Sequence, residues 1–461
     1  MLKHDFLWGG SVSSMQTEGA WDLDGRGPSI YDVRKIKANY SDWKVGIDFY
    51  HTYKEDIQLF KHLGLKAYRF SISWSRILPQ GEGAVNEPGL AFYERVIDEL
   101  IANGIEPMIC VYHFDLPLAL YETYGGWQSK QTLKAWKQLI DILVQRFSSK
   151  VKYWIPFNEQ NVSYCGIDLI SPELGPLSDE EKDKLSLEIW HNTNVAGAYL
   201  RQQLRFGNPK ALSGGMINYS AIYPEDSNPK AVLNASLLSD GVNHASLEVM
   251  ARGQYPNFIT SAWKGIEPTI LAGELELIQE YPVDFIGFSY YVSRVADSSR
   301  NQGVLPSQLS WFVERIITGE IEKNPYLESS EWGWTIDSTG LRLALKDIYY
   351  RYHLPVMIME SGIGVKEHLN EEKTIDDEYR IEYFRAHIQT LKDAVNYDGV
   401  ECLGFLTWAP IDILSSKGEM KKRYGFIYAN REEKDLLDLR RYKKASFAWF
   451  RKVIDSNGEI L

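Results

Sequence analysis

Short apolar runs recur along the chain, and the segments between them repeat their apolar positions every three to four residues. Eight runs stand out: Phe6–Ser13, Ala67–Ser73, Pro107–His113, Val151–Asn158, Leu212–Asn218, Asp284–Tyr291, Pro355–Glu360 and Cys402–Trp408. They are apolar at odd and even positions alike, which suits parallel strands covered on both faces. Between them the period changes. Tyr53, Ile57 and Phe60 share a helical face that Gly64 can close. Phe92, Val96, Leu100 and Ile101 form a second face, and Leu133, Trp136, Leu139, Leu143 and Phe147 a third. Further helical patterns cover about 182–204, 229–252, 341–352, 379–396 and 443–454. Eight strands alternating with about eight helices predict an α/β chain closed into a (β/α)8 TIM barrel, with residues 1–461 as one domain. A doubly wound sheet is the alternative, but no GxGxxG follows the first strand. Two long polar stretches, Ser293–Glu331 and Val365–Asp377, are expected as loops at the C-terminal face of the strands, forming the rim of a site or a surface insertion.

Composition narrows the partners. The 461 residues carry 50 Lys and Arg against 62 Asp and Glu, a net charge of −12. That balance argues against a general nucleic-acid or anionic-membrane binder, each of which needs a broad basic surface. Nothing approaches a membrane span. Cys110, Cys165 and Cys402 are odd in number and form no CxxC pair, so neither a disulfide scaffold nor a zinc site is expected. The nine histidines show no HExxH spacing. No metal and no cofactor is expected. The opening residues lack the apolar core of a signal peptide, which makes the cytoplasm the default address. Aromatic residues make up 13% of the chain. Such rings suit sugar faces, but a large core consumes them too.

Chemistry in such barrels sits at the C-terminal strand ends. The third run ends in His113, the fourth in Asn158-Glu159, the sixth in Tyr290-Tyr291, the seventh in Glu360-Ser361-Gly362 and the eighth in Trp408. The second carries Arg69, and Gln16 and Glu18 follow the first. Two glutamates about 200 residues apart therefore end strands that face each other across the mouth. Singly, each is more often a structural or salt-bridge residue. As a pair they are what glycoside hydrolysis needs: one acid for the departing oxygen, one carboxylate for the oxocarbenium-like centre.

The chain resembles family 1 glycoside hydrolases over essentially its whole length. The likeness is carried by Phe6-Leu-Trp-Gly-Gly, Gln16-Thr-Glu-Gly, Tyr68-Arg-Phe-Ser-Ile-Ser-Trp-Ser-Arg-Ile, His113-Phe-Asp-Leu-Pro and Gly125-Gly-Trp. It continues with Trp154-Ile-Pro-Phe-Asn-Glu, Asp284-Phe-Ile-Gly-Phe-Ser-Tyr-Tyr, Glu360-Ser-Gly and Trp408. The resemblance implies a retaining enzyme with Glu159 as acid/base and Glu360 as nucleophile. It implies Gln16, His113, Asn158 and Trp408 on the sugar, and Arg69 and Tyr291 beside the nucleophile. Carboxyls about 5–5.5 Å apart are expected for retention. Four positions depart from the family pattern: Gln160 for proline, Ser361 for asparagine, Ser289 for asparagine and Phe114 for tryptophan.

The segment after Trp408 bears on the substrate. Members acting on plain sugars place a glutamate and a tryptophan seven and eight residues after that tryptophan; here stand Ser415 and Ser416. Members acting on 6-phosphorylated sugars resemble this chain, which implies a phosphate site of Ser415, Lys422 and Tyr424, with Ser416 equally spaced for a donor role. The other reading of Lys421-Lys422-Arg423 is a solvated loop. A small residue at 416 resembles the phosphoglucosidase subgroup, so a phosphorylated β-glucoside is the expected small-molecule partner. A plain β-glucosidase or β-galactosidase, a 6-phospho-β-galactosidase and a non-catalytic sugar-binding barrel stay open.

Overall fold

The computed structural model describes residues 1–162, 177–261, 263, 265–296 and 324–461. Cys165 and most of the polar stretch ending at Glu331 lie outside them. Eight parallel strands form a closed barrel in chain order: β1 Leu7–Ser11, β2 Ala67–Ser71, β3 Glu106–Tyr112, β4 Tyr153–Phe157, β5 Leu212–Pro224, β6 Phe285–Ala296, β7 Val356–Glu360 and β8 Cys402–Trp408. The ring closes because β1 pairs on both sides, with Gly9 opposite Ala67 and Ser11 opposite Trp408. Each apolar run became a strand, and β2, β4 and β7 are buried along their whole length.

Helices follow the strands as α1 Phe49–Leu63, α2 Glu87–Ala102, α3 Lys130–Phe147, α4 Asp179–Gly207, α5 Pro229–Ser239, α6 Ala245–Arg252, α7 Ser338–Tyr352, α8 Glu378–Asn396 and α9 Ala445–Asp455. Gly64 ends α1 in the left-handed region at φ 90°. Ser178 and Glu181 form a reciprocal capping box at the start of α4. Ile101 is a correction: it is 45% exposed, because the α2 stripe continues by fours through Phe92, Val96 and Leu100 and leaves the next residue about 100° away. The helix expected over 229–252 is broken by a wide turn at Asp240–His244. There the Asn243 amide exchanges two hydrogen bonds with the Ser220 backbone, which pulls the chain onto β5.

Two apolar layers result. Trp8, Trp74, Trp136, Trp154 and Trp190 are fully buried, so most of the aromatic surplus is core. Ala67, Met108, Cys110, Tyr153, Ile155, Met216, Phe285, Met357, Met359 and Leu406 make a separate cluster from alternate strand positions, which fills the barrel interior. Above it, β5 and β6 run on together past their expected ends, with an irregularity in register between Tyr219 and Ala221. Among the described residues no helix is long and apolar enough to cross a membrane.

The 365–377 stretch is anchored rather than loose. Val365 pairs with Arg423. Arg380 of α8 donates to Asp377, Glu367 and the carbonyls of Ile363 and Tyr424, while Lys444 bridges Glu367 and Asp412. Burial opposes ionisation of Glu367, but Lys444 and Arg380 win and hold it down to about 2. Its contribution to stability is therefore present above the usual carboxylate range and is lost as pH falls toward 2. Arg380→Met should leave Asp377 and Glu367 charged, buried and short of a partner. It should cost about 3–5 kcal/mol, read as a lower urea midpoint at neutral pH.

Candidate active site

The site is assembled around one guanidinium. Arg69 stands within β2, is fully buried, and reaches four strands. Its Nη1 donates to Glu360 Oε1 at 2.7 Å and to Ser11 Oγ at 2.8 Å. Its Nη2 donates to Asn158 Oδ1 at 2.6 Å and to Cys110 Sγ at 3.2 Å. Glu360 closes β7, and its other oxygen accepts the Tyr291 hydroxyl at 2.9 Å.

Glu159 follows β4 in a left-handed turn at φ 40°. Its Oε1 accepts the Ser289 hydroxyl and, at 3.0 Å, the Asn218 amide. Ser289 lies in register with Glu360 across β6 and β7. The residue that binds one carboxyl is therefore the strand neighbour of the other, and the two glutamates stand at the same end of the barrel rather than at opposite ends of the molecule.

Electrostatics make the carboxyls a pair. Burial pushes Glu360 up to about 7; Arg69 opposes this, Glu159 adds to it and Tyr291 opposes it. Burial also raises Glu159, against Ser289, Asn218 and Arg69. Arg69 does favour the ionised form of Glu360, as the resemblance implies, but desolvation outweighs it. Glu360 faces a cation and a phenol, Glu159 only an amide and a hydroxyl, so the hydrogen-bond donors favour negative charge more strongly at Glu360 than at Glu159. His113 is kept neutral, first by burial and then by Arg69.

The remaining expected residues sit around this core. Trp408 ends β8 with its ring 5.7 Å from that of His113. Gln16 is buried, accepts from Ser13 and donates to the Leu414 carbonyl, one residue before Ser415. The family departures have local roles. The Gln160 backbone N–H donates to the Met216 carbonyl at 2.7 Å, which proline could not do. Ser361 lies against the Tyr383 hydroxyl, and Phe114 packs its ring beside His113. The amide lost at Ser289 reappears one strand over as Asn218, its register partner on β5.

The basic run divides into three fates. Arg423 is structural, bonded to Asp412 and to the carbonyls of Ala429 and Arg431. Lys421 is half-buried beside Glu419. Lys422 is 7% exposed, with its ammonium 3.6 Å from the centre of the Trp334 ring, 5.3 Å from that of Trp332 and 5.6 Å from that of Tyr424. Burial brings Lys422 down to about 8, with Glu419 acting the other way. A solvated loop is thus the wrong description of this lysine. Tyr424 continues toward the carboxyls, its ring 6.3 Å from that of Tyr291. Ser415 Oγ accepts the backbone N–H groups of Lys417 and Glu419, while Ser416 is exposed. Trp332, Trp334, Asn218, Ser11 and Glu419 were not singled out from the sequence.

A family model described as glycosyl hydrolase family 1 matches residues 1–459. The aryl-phospho-β-D-glucosidase BglH of Bacillus subtilis is 40% identical, covering 99% of this chain and 98% of that protein. The 6-phospho-β-glucosidase AscB of Escherichia coli is 35% identical over 100% of this chain and 99% of its own. A solved family 1 β-glucosidase from Thermotoga maritima superposes with a TM-score of 0.86 at 28% identity, covering 99% of this chain and 98% of that one. Replacing Arg69 by Gln removes the charge that opposes burial at Glu360. That carboxyl should then rise above about 7, seen as an upward shift in its infrared titration.

Proposed function

Because the chain belongs to glycoside hydrolase family 1, and is therefore a glycosidase, we propose that it hydrolyses 6-phospho-β-D-glucosides with retention, by double displacement. The observation that carries the reading is the unequal pair: Glu360 bound by Arg69 and Tyr291, Glu159 bound by Ser289 and Asn218. Glu360 attacks the anomeric carbon while Glu159 gives its proton to the glycosidic oxygen, which leaves with the aglycone. Glu159, now a carboxylate, takes a proton from water. That water attacks the glycosyl ester and releases glucose 6-phosphate and Glu360. Asn158, His113, Gln16 and Trp408 are assigned to the sugar ring, and carboxyls about 5–5.5 Å apart belong to this reading.

The phosphate is assigned to Lys422 and Tyr424, with Ser415 or Ser416 as hydroxyl donor. A unit charge pair at about 4 Å is worth roughly 4 kcal/mol at an effective dielectric of 20, before desolvation is deducted. Lys422, held near 8, is mostly charged at neutral pH. The names of BglH and AscB support a phosphorylated substrate. One observation favours a plain β-glucosidase instead: the buried Glu419, whose backbone N–H bonds to Ser415, could accept sugar hydroxyls. Cytoplasmic location is part of the proposal.

Two outcomes are expected. Nitrophenyl β-glucoside 6-phosphate should be preferred over the plain glucoside by at least about a hundredfold in kcat/KM, and Lys422→Ala should erase most of that preference. Equal specificity constants for the two substrates rule out the phosphate assignment. A 2-fluoroglycoside should label Glu360, located by mass spectrometry of the peptides; a label on another residue contradicts the double displacement drawn above.

A further inference from the structure

The β4–β5 seam opens just where Glu159 begins. Its ladder pairs Tyr153 with Leu212 and Trp154 with Ser213 and then stops. Beyond that point the strands are joined by other contacts. The Gln160 N–H donates to the Met216 carbonyl. The Asn161 side chain then clasps the backbone of Asn218 from both sides: its Nδ2 donates to the Asn218 carbonyl at 2.8 Å, and its Oδ1 accepts the Asn218 N–H at 2.8 Å. One amide side chain thus supplies the two bonds that a neighbouring strand would have made. Asn218 in turn sends its own amide to Glu159 Oε1 at 3.0 Å. The loop that carries Glu159 is fastened to the strand residue that binds Glu159.

Both donors to Glu159 meet at the same oxygen. Asn218 from β5 and Ser289 from β6 are register neighbours, and each donates to Oε1. An oxygen that accepts two hydrogen bonds is a poor place for a proton. We propose that Asn218, clasped by Asn161, is the positioning residue of the acid/base: it reserves Oε1 as an acceptor, so that Oε2 alone carries the proton toward the leaving group. This rests on Glu159 being the acid/base. The two donors also favour the ionised form of Glu159 against burial, so they bring its proton affinity back toward the working range.

The test measures kcat/KM, which reports the first displacement, for aryl glucosides in whichever form, 6-phosphorylated or plain, the enzyme prefers. One substrate carries a dinitrophenyl group, which leaves without a proton; the other carries phenyl, which needs one. Asn218→Ala should lose about tenfold or more with phenyl and less than about threefold with dinitrophenyl. Its alkaline limb should move to higher pH, because a donor to the carboxylate has gone. Ser289→Ala should share both signatures, and Asn161→Ala should show them more weakly. Equal losses on both leaving groups with an unmoved alkaline limb overturn the proposal and leave Asn218 a packing residue. Should Asn218→Ala fail to fold, Asn218→Asp keeps the size and decides by the same two readouts, its new carboxyl also driving the limb upward. Glu159→Ala separates the two readings. If it shows the leaving-group dependence in kcat/KM, with azide raising kcat on the dinitrophenyl substrate by attacking the glycosyl ester, and Asn218 variants do not, only the positioning role falls. If it lacks that dependence, the acid/base assignment falls and takes this one with it.

Discussion

The structure turns on a single buried cation. Arg69 is enclosed on all sides, and burying a guanidinium without partners would be prohibitive. Its partners come from β1, β3, β7 and the end of β4, so satisfying the charge requires the ring to be closed and in register. Barrel closure and site assembly are for this reason one event. The same cation also breaks the symmetry between two glutamates that burial alone would treat alike.

A second constraint acts at the seam between β4 and β5. A strand must end for its last side chain to face the opening, yet an ended strand leaves backbone groups without partners. Here the Gln160 N–H and the Asn161 side chain take over those bonds. The strained turn at Glu159 is tolerated because the residues after it are fastened.

How much was legible in the sequence follows from which interactions are local. All eight strands could be found because a strand covered on both faces leaves an unbroken apolar run, as in Val356–Glu360. The added lengths of β5 and β6 could not, since past Asn218 and Tyr291 polar residues interrupt the run. Glu159 and Glu360 were visible as charges at the ends of apolar runs. Asn218 was not, although it ends the fifth run: a neutral amide there looks incidental until a partner 59 positions away is brought beside it. Trp332 and Trp334 stand just past the long polar stretch and outside any periodic run, and only the fold puts them over Lys422. Nothing local distinguishes Lys422 from Arg423; their different fates come from which carbonyls and rings surround each one.

The barrel interior beneath the site carries one more consequence. Met108, Cys110, Met216, Met357 and Met359 make its floor rich in sulfur. Thioethers are soft and polarisable, conform to what lies above them, and offer a charge only weak acceptors. From this cushion Arg69 takes one long contact, to Cys110 Sγ at 3.2 Å, while its bonds to Ser11, Asn158 and Glu360 are all 2.8 Å or shorter. A soft floor of this kind competes weakly for the cation and leaves its pull directed at the strand ends.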